Sequence, residues 1–155
     1  MQTGRARSTR SCATFTLVEG TPANIEHDAP YVNVLAEPAS GIITVVWKNY
    51  APSGTYRSTL NTTVDLIIAH KLRYFLTDQR RRGAILHADE LWLKDDWAPR
   101  MAVIGLARAA IVMSPDFFNR TTIERVAEAV KPSTPYPIKY FKEMEEARTW
   151  LLTGE

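Results

Sequence analysis

The side chains best suited to chemistry in this 155-residue chain lie in Thr77-Asp78-Gln79-Arg80-Arg81-Arg82 and the segment that follows. Asp78 offers a carboxylate that can bind a partner or cap a neighbouring helix. Equally, it can accept backbone N–H bonds within its own turn, as aspartate often does. Arg80, Arg81 and Arg82 carry forked donors that suit an anion or an acidic partner. Their plainer role is to be solvated, or to pair with Asp89, Glu90, Asp95 and Asp96 nearby. Trp92 and Trp97, beside Leu91, Leu93 and Met101, can wall an apolar pocket, form a dimer contact or complete the core.

Other chemistry finds less support. A zinc site needs three or four convergent ligands, whereas His27, His70 and His87 are far apart and Cys12 is distant from all of them. His87 with Asp89 and Glu90 is the one local cluster. No Gly-x-Ser-x-Gly elbow is present, nor any glycine-rich phosphate loop. The expectation is a non-enzymatic protein without metal or cofactor. Asp78 and His87, if brought together in a cleft, would revive a hydrolase or transferase.

The elements that must position these residues alternate. Tyr31–Leu35 and Ile42–Trp47 read as strands, the second β-branched and nearly continuous. Pro38 and Gly41 mark the turn of an antiparallel hairpin between them. Tyr56, Leu60, Val64, Ile67 and Ile68 give one apolar stripe on a helix ending near Leu72, with Ser53 as N-cap. Tyr74–Asp78 is a short strand, and residues 79–95 form the longest loop, with 87–94 irregular. A helix follows from Asp95-Asp96, with Trp97, Met101 and Ile104 on one face. Ala109–Met113 reads as a buried strand, broken at Ser114-Pro115-Asp116. Thr121 and Glu124 make a capping box for a helix that Pro132 stops. Pro137–Phe141 is a last strand, and a final helix spans about Lys142 to Leu152. Residues 21–30 read as a loop, and Phe15–Val18 as a strand or an extended arm. Such alternation predicts an α/β fold: a mixed, mainly parallel sheet of about five strands with four helices and an N-terminal hairpin. A strand-tip placement would make Thr77, Asp78 and the arginines its functional rim.

Composition fits one ordinary globular domain, with 45% hydrophobic and 23% charged residues. The net charge is +2, but Arg5, Arg7 and Arg10 supply all of it, so the body is near neutral. A nucleic-acid binder carries its basic face on the fold itself, so none is expected here. Residues 1–14 read as a disordered basic tail and 15–155 as one domain. The single cysteine excludes an internal disulfide, and a reducing cytoplasm is the expected compartment. No run approaches the ~18 apolar residues of a membrane span, and no secretory h-region follows the arginines.

The element order, the hairpin ending in Val46-Trp47, Leu76-Thr77-Asp78, Arg108-Ala-Ala-Ile-Val112 and the closing Tyr140-Phe141 and Glu146-Ala-Arg-Thr-Trp-Leu151 resemble the SpoIIAA-like branch of the STAS superfamily (sulphate transporter and anti-sigma-factor antagonist domains). The resemblance spans about residues 31–152. It implies a bacterial regulatory or scaffold module that binds an unknown protein partner, as a monomer or a homodimer, through the loops at the strand C-terminal ends. Thr77, Asp78, Arg80, Arg81, Trp92 and Trp97 would face that partner or a ligand. Antagonists of the family are switched at a serine in an Asp-Ser-x-Gly turn. The matching place here reads Leu76-Thr77-Asp78-Gln79-Arg80, so no phosphorylation site is carried over. The alternative is a carrier of a small apolar ligand, since the fold is close to that of the lipid-carrying CRAL-TRIO domains.

Overall fold

The computed structural model describes residues 23–113 and 117–155, without the side chains of residues 117–119. The basic tail, Cys12, the Phe15–Val18 segment and the Ser114–Asp116 break lie outside the described residues. Among the described residues six strands form one sheet in sequential order: β1 Ile25–Asp28, β2 Val32–Glu37, β3 Ile42–Trp47, β4 Tyr74–Asp78, β5 Arg108–Val112 and β6 Ile138–Phe141. The first three are antiparallel neighbours, and β3 to β6 run parallel. The α/β class, the mixed sheet and the N-terminal hairpin are thus as expected. The sheet has one strand more than the sequence suggested. Ile-Glu-His-Asp carries a single apolar residue, so β1 lacks a strand-like pattern and is set by its pairing with β2. Its polar outer edge suits the rim of a sheet.

Among the described residues, four helical segments and a short 3-10 turn, Lys131–Ser133, complete the fold. The first is α1, Ser53–His70. The second runs unbroken through α2 His87–Trp92, a π-helical turn Leu93–Trp97 and α3 Ala98–Ala102. The third is α4, Phe117–Val130, and the fourth is α5, Met144–Thr153. Parallel strands laid down in sequential order, joined by right-handed crossovers, keep the crossover segments on one face. Accordingly Tyr56, Leu60, Leu93 and Met101 pack with Ile43, Val45, Phe75 and Ala109. The last helix crosses to the opposite face, where Ala147, Trp150 and Leu151 cover Ile42, Leu76, Ala110 and Val112. Arg148 of α5 grips Glu37 at the end of β2 through two hydrogen bonds of 2.7 and 3.2 Å, fastening the hairpin to the C-terminal helix.

Several local expectations change. Residues 87–94 are helical rather than irregular, because Asp89 is buried and accepts hydrogen bonds from Ser53 and Arg57 of α1. Ser53 is therefore not the N-cap. Pro52 holds that position, and the Ser53 hydroxyl points to Asp89. The next helix does not start at a Thr121 cap, because α4 already begins at Phe117. Ile68 is 58% exposed: one step beyond buried Ile67 turns it about 100° off the apolar stripe.

Candidate functional site

Strand alternation sorts the β4 tip onto two faces. Phe75, Thr77 and Gln79 point toward α1, α3 and α4, and all three line one cavity. Asp78 points to the opposite face. There its Oδ1 accepts from the backbone N–H of Arg80 at 3.0 Å, and the Arg80 guanidinium closes on both carboxylate oxygens at 3.0 and 2.9 Å. Asp78 is 6% exposed and satisfied within its own turn. Glu143 lies 4.0 Å from Arg80. The hydrogen bond from the Arg80 guanidinium to Asp78 raises the guanidinium pKa.

The cavity is a half-open space of about 110 Å³ between the sheet and the helices. Ala109, Ile111 and Ile138 continue its floor across β5 and β6. Tyr56 and Leu60 of α1 form one wall, and Ile123, Val126, Ala127 and Val130 of α4 another. Leu93, Trp97, Ala98 and Met101 form a third, and Tyr136 closes an end. Ile111 is central in the sheet yet only half-buried, because it faces this space.

The π-helical turn explains the third wall. In a plain α-helix each four-residue step drifts about 40° around the axis, so Leu93, Trp97 and Met101 would fan out. A wider turn over Leu93–Trp97 counters that drift, and all three side chains line the cavity. The Trp97 indole is fixed by donating Nε1–H to the Leu60 carbonyl at 2.9 Å and by an edge contact with Phe75 at 5.9 Å.

Among the described residues the lining holds no charged side chain. Its polar atoms are few and mostly engaged. The Tyr136 hydroxyl donates to the Met101 carbonyl at 3.3 Å, and that of Thr134 to the Val130 carbonyl at 2.8 Å. Gln79 Nε2 donates to Thr77 Oγ1 at 2.9 Å. Gln79 Oε1 is buried without a partner among the described residues. Burial pushes the Tyr56 and Tyr136 hydroxyls up to about 12, so both remain neutral phenols. At Tyr56 the nearby Arg82 guanidinium opposes that rise.

The expected site residues therefore divide. Thr77 and Trp97 meet at the cavity. Asp78 and Arg80 are paired with each other, and Arg81 is exposed. Trp92 stands outside the cavity, with Arg57 at 5.3 Å and Arg100 at 6.0 Å from its ring centre. His87 is exposed with Glu90 Oε1 at 4.0 Å, and no hydrogen bond joins it to Asp78 among the described residues. No group of three or more potential metal ligands occurs among the described residues.

Two residues of the rim segment take places other than those read for them. Gln79 was legible, since the i, i+2 rule puts it on the face of Thr77. Arg82 was not, because three consecutive arginines look alike in sequence. It is 1% exposed and packs over Tyr56 at 4.1 Å and Trp47 at 5.2 Å.

Comparison with family models, curated proteins and solved structures finds no match.

Proposed function

We propose that this protein binds a small, mainly apolar ligand in the cavity beneath Trp97 and carries out no reaction on it. The observation that supports this most is the character of the cavity: about 110 Å³, walled by aliphatic and aromatic side chains, without a charged group among the described residues. Ligand sites are commonly apolar hollows with a few placed polar groups, and π-helical turns recur at functional positions. The carrier role therefore ranks above the protein-binding role here. On this reading the protein acts in the cytoplasm. Among the described residues no helix is long and apolar enough to cross a membrane. The STAS resemblance belongs to the same proposal, and the element order it rests on, with one strand added in front, supports it.

Native mass spectrometry of protein purified from its own cell tests the proposal, paired with calorimetric titration of toluene, phenol and indole. A retained small molecule, or saturable binding of any probe, is the expected result. Apo protein that binds none of them would overturn it.

A second reading places a protein partner, or another copy of the chain, over the loop after β4. Its support is a rim where Tyr50 is 42% and Leu86 47% exposed, beside exposed Arg81. Masses in the same spectra that correspond to a dimer or a complex would favour it.

A further inference from the structure

We infer that the cavity selects a neutral ligand bearing one hydrogen-bond donor on a small apolar ring or chain, and that Gln79 Oε1 is the acceptor that reads the donor. This rests on the cavity being a ligand site.

The Gln79 side chain is held, not adrift. Its backbone N–H donates to the Val112 carbonyl at 2.9 Å, tying the residue across to β5. Its amide nitrogen donates to Thr77 Oγ1 at 2.9 Å. These two bonds leave the amide oxygen buried and unpartnered among the described residues, on a side chain that lines the cavity. Gln79 is 6% exposed, so bulk water does not readily replace the missing donor. A buried carbonyl oxygen without a donor is costly, and an incoming O–H or N–H repays that cost. The hydroxyls of Tyr136 and Thr134 are committed to main-chain carbonyls, so they compete poorly for a ligand's polar group.

Charge and size narrow the class. Among the described residues no cationic or anionic side chain lines the space, so against these walls a carboxylate or an ammonium would be buried unpaired, which is strongly unfavourable. At about 110 Å³ the cavity is somewhat smaller than the roughly 150 Å³ engineered hollow that accepts benzene. A short alcohol matches both limits, and a six-membered ring with one hydroxyl fits once the walls give slightly. The geometry thus points to simple phenols and small alcohols, not to carboxylates or long acyl chains.

The test titrates the full chain with phenol, toluene, benzaldehyde and benzoate, followed by calorimetry. One neutral hydrogen bond predicts that phenol binds roughly tenfold more tightly than toluene, with benzoate undetectable. The Gln79→Leu variant removes the acceptor and should erase the phenol advantage while keeping toluene binding. Equal affinity for phenol and toluene in the unaltered protein overturns the inference but leaves the ligand site standing, and this arm needs no variant. A preference for benzaldehyde over phenol also overturns it, because the amide N–H would then be reading the ligand. Failure of every probe removes the ligand site itself and the inference with it.

Discussion

The guanidinium of Arg82 lies 4.1 Å from the centre of the Tyr56 ring, and both residues are almost wholly buried. Trp47, 5.2 Å away, flanks the same guanidinium, and Arg82 Nη1 donates to the Ala84 carbonyl. This packing draws the loop after β4 inward over β3 and α1. A desolvated cation over an aromatic face is worth about 2 kcal/mol, and truncation also leaves a hole. Arg82→Ala should therefore cost about 3 kcal/mol by urea unfolding. Arg82→Met, which restores apolar bulk, should recover roughly half of that. A loss under about 0.5 kcal/mol for alanine, the range of an ordinary surface change, would show that the stack contributes little.

Asp78 is expected to act on stability. Its carboxylate satisfies the Arg80 backbone N–H and holds the Arg80 guanidinium. Asp78→Ala frees these donors and should cost about 1–2 kcal/mol, while Asp78→Asn, which keeps one acceptor, costs less. Thermal and urea unfolding of the two variants measure this. Ligand affinity should be unchanged in both, since Asp78 faces away from the cavity. A variant of native stability that loses probe binding would contradict the assignment.

Acid sensitivity should arise in part at Glu90, which Arg125 clasps with two hydrogen bonds of 2.7 and 2.8 Å. That guanidinium lowers the Glu90 pKa in the folded state. The unfolded chain keeps the usual value, near about 4.3. Above that value both states are ionised and the stabilisation is complete. Below it the unfolded state takes up the proton first, and stability is lost as pH falls through the folded value. Glu90→Gln should flatten this acid limb, and its unfolding free energy should converge on that of the parent as pH drops. Parallel curves for the two proteins across that range would remove Glu90 from the account.

The parts of the fold legible in the sequence are those written in side-chain period. Ile42–Trp47 and Tyr74–Asp78 announce buried strands by composition, and the structure places both where expected. The Tyr56–Leu60–Val64–Ile67 spacing likewise marks the buried face of α1. Elements held by distant partners were not legible. β1 exists through pairing with β2. The helix at His87 depends on Asp89 reaching back to Ser53 and Arg57, 36 and 32 residues earlier. Position and residue type put Thr77 at a strand-tip rim and left Trp97 as a pocket wall, a dimer contact or core, and both line the cavity. That they face one another across an apolar hollow depends on the π-helical turn, for which a sequence offers no period.

Ala127 provides the most direct control on the cavity. It lies on α4, is 8% exposed and lines the space without filling it. In a tightly packed core, Ala→Leu forces neighbours apart and costs about 1–3 kcal/mol. Here the added methyl groups have about 110 Å³ to enter, and each buried carbon contributes about 0.8 kcal/mol. Ala127→Leu should therefore hold or raise stability by up to about 2 kcal/mol, and it should weaken toluene and phenol at least tenfold. The two readouts are linked, because the same volume that admits leucine is what the probes occupy. Stabilisation with probe binding intact would place the ligand elsewhere. Destabilisation beyond about 1 kcal/mol, as overpacking produces, would mean that the hollow is already filled by its own walls.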